Sequence, residues 1–160
     1  MKTPGIVLAI STVAGRFVAR YSGKGLAKLY FPANGRAALP PVPATIRNWH
    51  QATESALKNI LAGRSPKKIP PLDLVGTEFQ KSVWNALRKI PIGKTKSYGE
   101  IARTIGKPKA VRAVGGACGA NPVPVLVPCH RVLAANGKIG GFSGGLDRKR
   151  DLLKREGIKL

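Results

Sequence analysis

Hydrophobic spacing divides the chain into a β-like opening and a helical remainder. Three short runs with strand character, Ile6–Ile10, Arg16–Tyr21 and Leu26–Phe31, come first, punctuated by Gly15, Gly23, Gly25 and Pro32. Pro40, Pro41 and Pro43 mark a loop, after which the period changes. Ile46, Trp49, Thr53, Ala56, Leu57, Ile60 and Leu61 fall on one helical face, with Gly63 as a stop. His50 lies beside that face and reads as a packed or half-exposed histidine rather than a ligand. The segment from Ser65 to Pro71, with Lys67, Lys68 and its prolines, reads as a linker.

Beyond the linker the punctuation is sharper. Thr77-Glu78-Phe79-Gln80 is a capping box, and Phe79, Val83, Trp84, Leu87 and Ile90 form the apolar stripe behind it, ended by Pro91. Ser97-Tyr98-Gly99-Glu100 is a second box, opening a short helix through Ile101, Ala102 and Ile105 to Gly106. A third helix spans Ala110 to about Ala120, and a last one Leu146 to Glu156, stopped by Gly157. The pair around Lys107-Pro108-Lys109 has a helix-turn-helix pattern, which many small helical domains share. The expected fold is α/β (α+β): a small strand-and-helix domain with its linker over residues 1–70, then a mostly helical domain over residues 71–160.

The third helix has an unusual surface. At about 100° per residue, Val111, Val114 and Cys118 cluster on one side, and Arg112, Ala113, Gly116, Ala117 and Ala120 occupy the other. A face of glycine and alanine cannot read base edges, but it lets the backbone come close to something. A narrow minor groove would suit it, and so would another helix. Arg112 is the one charged side chain on that face, placed to hold a phosphate or to fill space left by an extruded base. Cys118 turns inward as a small core residue.

Charge narrows the choice. The 160 residues carry 28 Lys and Arg against seven acids, a formal charge of +21. The excess is spread evenly: residues 1–70 hold 11 basic residues and one acid, residues 71–160 hold 17 and six. Such a surface neutralises phosphates and binds nucleic acid in a salt-sensitive, largely sequence-independent way. No basic amphipathic helix with a continuous apolar face points to a membrane instead. Met1-Lys2 and the following apolar run are too short and broken for a signal peptide, and read as a first strand. Two cysteines and two histidines offer neither a disulfide framework nor a zinc spacing. The expectation is a protein of the cytoplasm, nucleoid-associated there, or of the nucleus in a eukaryote, with no metal and no cofactor.

Pro128-Cys129-His130-Arg131, ending the apolar run Val123–Val127, sets a cysteine beside a histidine. A thiol is nucleophilic only as thiolate, and an imidazole or a positive field lowers its pKa. In an extended strand the two side chains would point to opposite faces, so a dyad requires a turn, which Pro128 favours, or a bridging water. Glu156 points between Leu152 and Leu153, toward the core. An inward carboxylate needs a partner, either a histidine to orient or one of the many nearby Arg and Lys. Gly140-Gly141-Phe142-Ser143-Gly144-Gly145 lacks a P-loop ending, and its glycines allow close approach to a flat ligand.

Taken together, Phe79-Gln80, Val83-Trp84, Ser97-Tyr98, Ala110-Val111-Arg112-Ala113-Val114, Asn121-Pro122, Pro128-Cys129-His130-Arg131-Val132 and the glycine loop resemble the O6-alkylguanine-DNA alkyltransferases. The resemblance covers about Gly76 to Gly157. Residues 1–70 are only weakly similar to that family's divergent amino-terminal α/β domain. It implies a DNA-repair protein that moves an alkyl group from guanine O6 to its own cysteine, once, after the base is flipped from double-stranded DNA. The implied acceptor is Cys129, with His130 removing its proton through a water and Glu156 orienting His130. Asn121 would brace the neighbouring turns, and Tyr98 would crowd the phosphate and donate to guanine N3. A recognition helix with Ala110, Ala113 and Gly116 would enter the minor groove, Arg112 filling the gap. The base would meet Tyr98, the backbones of Cys129 and Val132, Phe142 where many members have tyrosine, and the loop at Ser143 and Gly144. The zinc ligands that some members carry are missing, and a monomer is expected.

Overall fold

The computed structural model describes residues 5–31 and 41–160. Expectations resting on Met1, Lys2, Pro32 and Pro40 lie outside them. Strands β1 (Ile6–Thr12), β2 (Gly15–Tyr21) and β3 (Leu26–Tyr30) form an antiparallel sheet in chain order. Val13 and Ala14 make the tight turn, closed by Gly15 at φ +107°, that sets Ile10 opposite Phe17. Alternation then sends Phe17, Ala19 and Tyr21 to one face, all buried. Helix α1 (Ala44–Leu61) contributes the stripe read from its spacing, with Ile46, Thr53, Ala56, Leu57, Ile60 and Leu61 buried. The Tyr21 hydroxyl meets Thr53 Oγ1 at 3.0 Å and His50 Nδ1 at 2.8 Å, so His50 is a packed, half-buried residue.

The second part is built on α2 (Glu78–Leu87), α3 (Tyr98–Thr104), α4 (Val111–Gly119) and α5 (Leu146–Arg155). Both capping boxes form: Thr77 with Gln80 opens α2, and Ser97 with Glu100 opens α3. Trp84 of α2 is buried, and its indole donates to Ala117 O at 2.9 Å. That bond corrects the expected outer face of α4. Ala117 turns inward against α2 and is 3% exposed, whereas Val111, in the first turn where neighbours run out, is 40% exposed.

The segment read as a linker is tied down at its last residue, Pro71. Leu26 N donates to Pro71 O at 2.8 Å and Asp73 N to Leu26 O at 2.9 Å, along the free edge of β3. Further along that edge Leu29 N donates to Pro122 O at 2.9 Å. One buried cluster runs from Leu8 in the sheet to Leu152 in α5. The first sheet therefore buttresses the region where the chemistry-bearing residues gather.

Candidate active site and nucleic-acid interface

The apolar run before Cys129 is a braced turn rather than a strand. Asn121 Nδ2 donates to Val127 O at 2.8 Å, and Asn121 Oδ1 accepts from Val123 N at 2.9 Å. Val127 N donates to Val123 O at 2.9 Å, and buried Val125 is held at φ +75°. A β-branched residue in the left-handed region costs about 1–3 kcal/mol, which the buried Asn121 bonds and surrounding packing must offset. The next residues, Cys129–Arg131, form one 3-10 turn, so the chain does turn where the pair requires it. Strand β4 (Lys96–Ser97) then runs parallel to β5 (Val132–Leu133), with Lys96 opposite Val132. This two-residue pairing sets Tyr98, first in α3, beside the cysteine turn.

Glu156 is the C-cap of α5, and Gly157 at φ +81° ends the helix. Its carboxylate takes both partners left open by the sequence. His130 Nε2 lies 2.5 Å from Oε2, and Arg131 Nε donates to Oε1 at 2.6 Å. Arg131 also donates to Ile90 O at 2.7 Å. Burial pushes the Glu156 carboxyl upward, but the His130 and Arg131 contacts outweigh it and hold it below the usual range. Burial lowers His130, against the pull of Glu156, and keeps the imidazole neutral. A neutral ring donating through Nε2 has its lone pair on Nδ1, and Nδ1 is a buried nitrogen without a hydrogen-bond partner among the described residues.

Cys129 is 4% exposed and lines a cavity of about 340 Å³ together with Tyr98, Gly115, Cys118, Gly119, Gly141, Phe142 and Ser143. Burial raises its thiol, while the Asn121 side chain and the Lys149 charge pull it back down. Cys118, expected as a plain core residue, also faces this cavity. Burial drives its thiol up to about 12.

Lys149 is the residue the sequence reading missed. It is completely buried, and its ammonium donates to Val132 O at 2.6 Å and Gly141 O at 3.0 Å, 5.9 Å from the Tyr98 ring centre. No carboxylate pairs with it among the described residues, since Glu156 is taken by His130 and Arg131. Burial holds it below the usual lysine range, and the two sulfurs in its field pull the other way. A signal existed: Lys149 stands three residues after Leu146 and three before Leu152, on the same helical face that turns Glu156 inward.

Of the expected base-pocket residues, Tyr98, Phe142 and Ser143 line the cavity. Val132 is fully buried behind it with its carbonyl held by Lys149, and Gly144 faces a neighbouring cleft with Phe31 and Arg148. Helix α4 borders the cavity through Gly115, Cys118 and Gly119. Its Arg112, Ala113 and Gly116 are exposed, Ala110 before them is half-buried, and Arg112 makes no ion pair among the described residues. The cavity and the small-residue face thus share one helix.

Residues 78–158 match the family model described as 6-O-methylguanine DNA methyltransferase, DNA binding domain. The methylated-DNA–protein-cysteine methyltransferase of Methanosarcina acetivorans is 65% identical over 82 residues, covering 51% of this chain and 53% of the relative. Here the match spans about half the relative's length. The protein of the same name from Methanosarcina mazei is 46% identical over 134 residues, 83% of this chain and 85% of that one. The crystal structure of Mycobacterium tuberculosis OGT in complex with DNA superposes with a TM-score of 0.74 at 41% identity, over 92% of this chain and 90% of that one.

Proposed function

The chain belongs to the family of methylated-DNA–protein-cysteine methyltransferases, and from that premise we propose that it transfers an alkyl group, methyl first, from guanine O6 in duplex DNA to Cys129. One observation carries the reading: Cys129 lines a cavity walled by the glycine-rich side of α4, next to a buried, neutral imidazole with one nitrogen unpartnered among the described residues. The target atom is inaccessible to in-line attack inside the stack, so the guanine must swing out, at a cost of roughly a few kcal/mol. Helix α4 enters the minor groove, its small side chains permitting contact with the backbone, and Arg112 takes the vacated space.

His130 Nδ1 accepts the Cys129 proton through a water, and the short bond to Glu156 stabilises the imidazolium that results. The sulfur attacks the alkyl carbon, a carbon–sulfur bond forms, and the carbon–O6 bond breaks with its electron pair leaving on guanine. Hydrogen bonds from Tyr98 to N3 and from the Ser143 loop to O6 stabilise that charge until the base is protonated. Lys149 adds a fixed positive charge near the sulfur. The product is a thioether that thiol exchange cannot reverse, so each monomer acts once.

The discriminating experiment is incubation with a duplex containing O6-methylguanine, followed by mass analysis of the Cys129 peptide. One methyl group per protein on Cys129 is expected. Catalytic turnover, or labelling of Cys118, would overturn the assignment. A lesion sensor without transfer would bind the duplex and leave both peptides unmodified.

A further inference from the structure

Gly141, Phe142 and Ser143 line the cavity from the loop 140–145, its lid, and the two ends of this lid rest on different parts of the molecule. At its start, Gly140 packs on Tyr98: a Cβ there would lie 2.9 Å from the phenolic oxygen. Lys149 holds Gly141 O at 3.0 Å, and Tyr98 Oη lies 3.5 Å from the same atom. At its end, Gly144 is pinched between two rings. A Cβ on Gly144 would come within 2.8 Å of Phe142 Cε1 and 3.0 Å of Phe31 Cε2. Phe142 is the cavity wall; Phe31 comes from the amino-terminal sheet, just past β3.

Phe31 is itself clamped. Its ring lies 4.7 Å from that of Phe17, a fully buried residue of β2. On it rests the Arg148 guanidinium, 3.9 Å from the ring centre. Arg148 belongs to the first turn of α5, the helix that also carries Lys149 and ends at Glu156. The Leu29-to-Pro122 hydrogen bond fixes the same strand to the turn beside Asn121. The rings can therefore transmit the position of the sheet to the cavity wall.

We infer that Phe31, capped by Arg148, is a positioning residue that keeps Phe142 and the lid against the flipped base. This inference rests on the alkyl-transfer reading for its consequence. Phe31 is not among the residues that line the cavity with Cys129 and α4. Losing it loosens the lid, so the bound base drifts from the line of attack, while the groove-binding helix is untouched. The rate constant at saturating substrate should fall, and the concentration for half-saturation should not. Misplacement of a reacting group by about 1 Å can cost on the order of a hundredfold, and a lid still held at Gly141 should lose about tenfold.

The experiment measures single-turnover methyl transfer and amide hydrogen exchange of residues 140–145 in wild type, Phe31→Ala, Phe31→Tyr and Arg148→Gln. Phe31→Ala should lower the limiting rate about tenfold on duplex and free base alike, keep half-saturation on duplex, and speed exchange in the lid. Phe31→Tyr should restore both quantities. Arg148→Gln, a change at an exposed side chain, should move both in the same direction by less, and it serves if Phe31→Ala does not fold. An unchanged limiting rate with unchanged lid exchange overturns the inference. So does a loss equal to the unfolded fraction, or one residing only in half-saturation. If wild type transfers no methyl group, the functional reading fails on its own, and the exchange data still decide whether Phe31 holds the lid.

Discussion

Replacing Lys149 by Met tests the electrostatics of the site most directly. The substitution keeps an unbranched apolar stem of similar length and deletes one positive charge in a fully buried position. A nearby opposite charge shifts a pKa by about 1–3 units, so losing this ammonium should raise the Cys129 pKa by at least about one unit. Below that pKa each unit reduces the thiolate fraction about tenfold. The more basic thiolate recovers close to half of that logarithm through greater nucleophilicity, with a Brønsted coefficient of about 0.4–0.5. The net loss at neutral pH is about 3-fold to 30-fold, and in alkali, once both proteins are ionised, it should give way to a rate at or above that of the wild type. Stability should follow a different course. The variant loses two charge-assisted bonds worth about 1.5–3 kcal/mol each and leaves Val132 O without its Lys149 donor, while Gly141 O keeps the Tyr98 hydroxyl, but it also removes a buried ammonium that has no carboxylate partner among the described residues. These terms oppose one another, and the net change should stay within about 2 kcal/mol. The assay is single-turnover methyl transfer against pH, with thiolate absorbance titrated in parallel and denaturant melts as the control. A pH profile of unchanged midpoint, or a loss equal at every pH, would refute the electrostatic role.

Glu156→Gln should cost about 3–5 kcal/mol in denaturant melts, because it strands the buried Arg131 guanidinium, and it should abolish most transfer by releasing His130. In the wild type, His130 and Glu156 both have lowered pKa values in the fold, so the unfolded chain binds more protons as pH falls. Melting temperature should therefore drop on acidification, first below about pH 6.5 through His130 and again below about pH 4.3 through Glu156; a flat profile from pH 7 to pH 4 would contradict the assigned shifts. Arg112→Ala should slow repair in duplex far more than attack on the free base, measured side by side, since the side chain is exposed on α4 and absent from the cavity lining. Equal losses would remove it from the flipping step.

Much of the site was legible because its signals act over a few residues. A capping box closes within one turn, so Thr77 with Gln80 and Ser97 with Glu100 mark helix starts in any context. The helical wheel turned Glu156 inward for the same local reason. It failed on Ala117 and Val111, whose exposure depends on where Trp84 lies and where α4 begins. It would have found Lys149, but a lysine between arginines reads as solvated until the helix is docked.

The chain by itself determined the strand and helix segments, the abrupt helix stops, the excess of positive charge and the chemical types at Cys129, His130 and Glu156. Periodicity, caps and composition are properties of neighbours in sequence, and they survive any arrangement of the elements. Tertiary packing decided which nitrogen of His130 meets Glu156, that Arg131 shares its carboxylate, that Lys149 has sulfur rather than carboxylate in its surroundings among the described residues, and that Phe31 reaches the lid. Those facts depend on distances between segments up to about a hundred residues apart. Burial removes the solvent that would otherwise screen each charge, and so gives those distances their energetic weight.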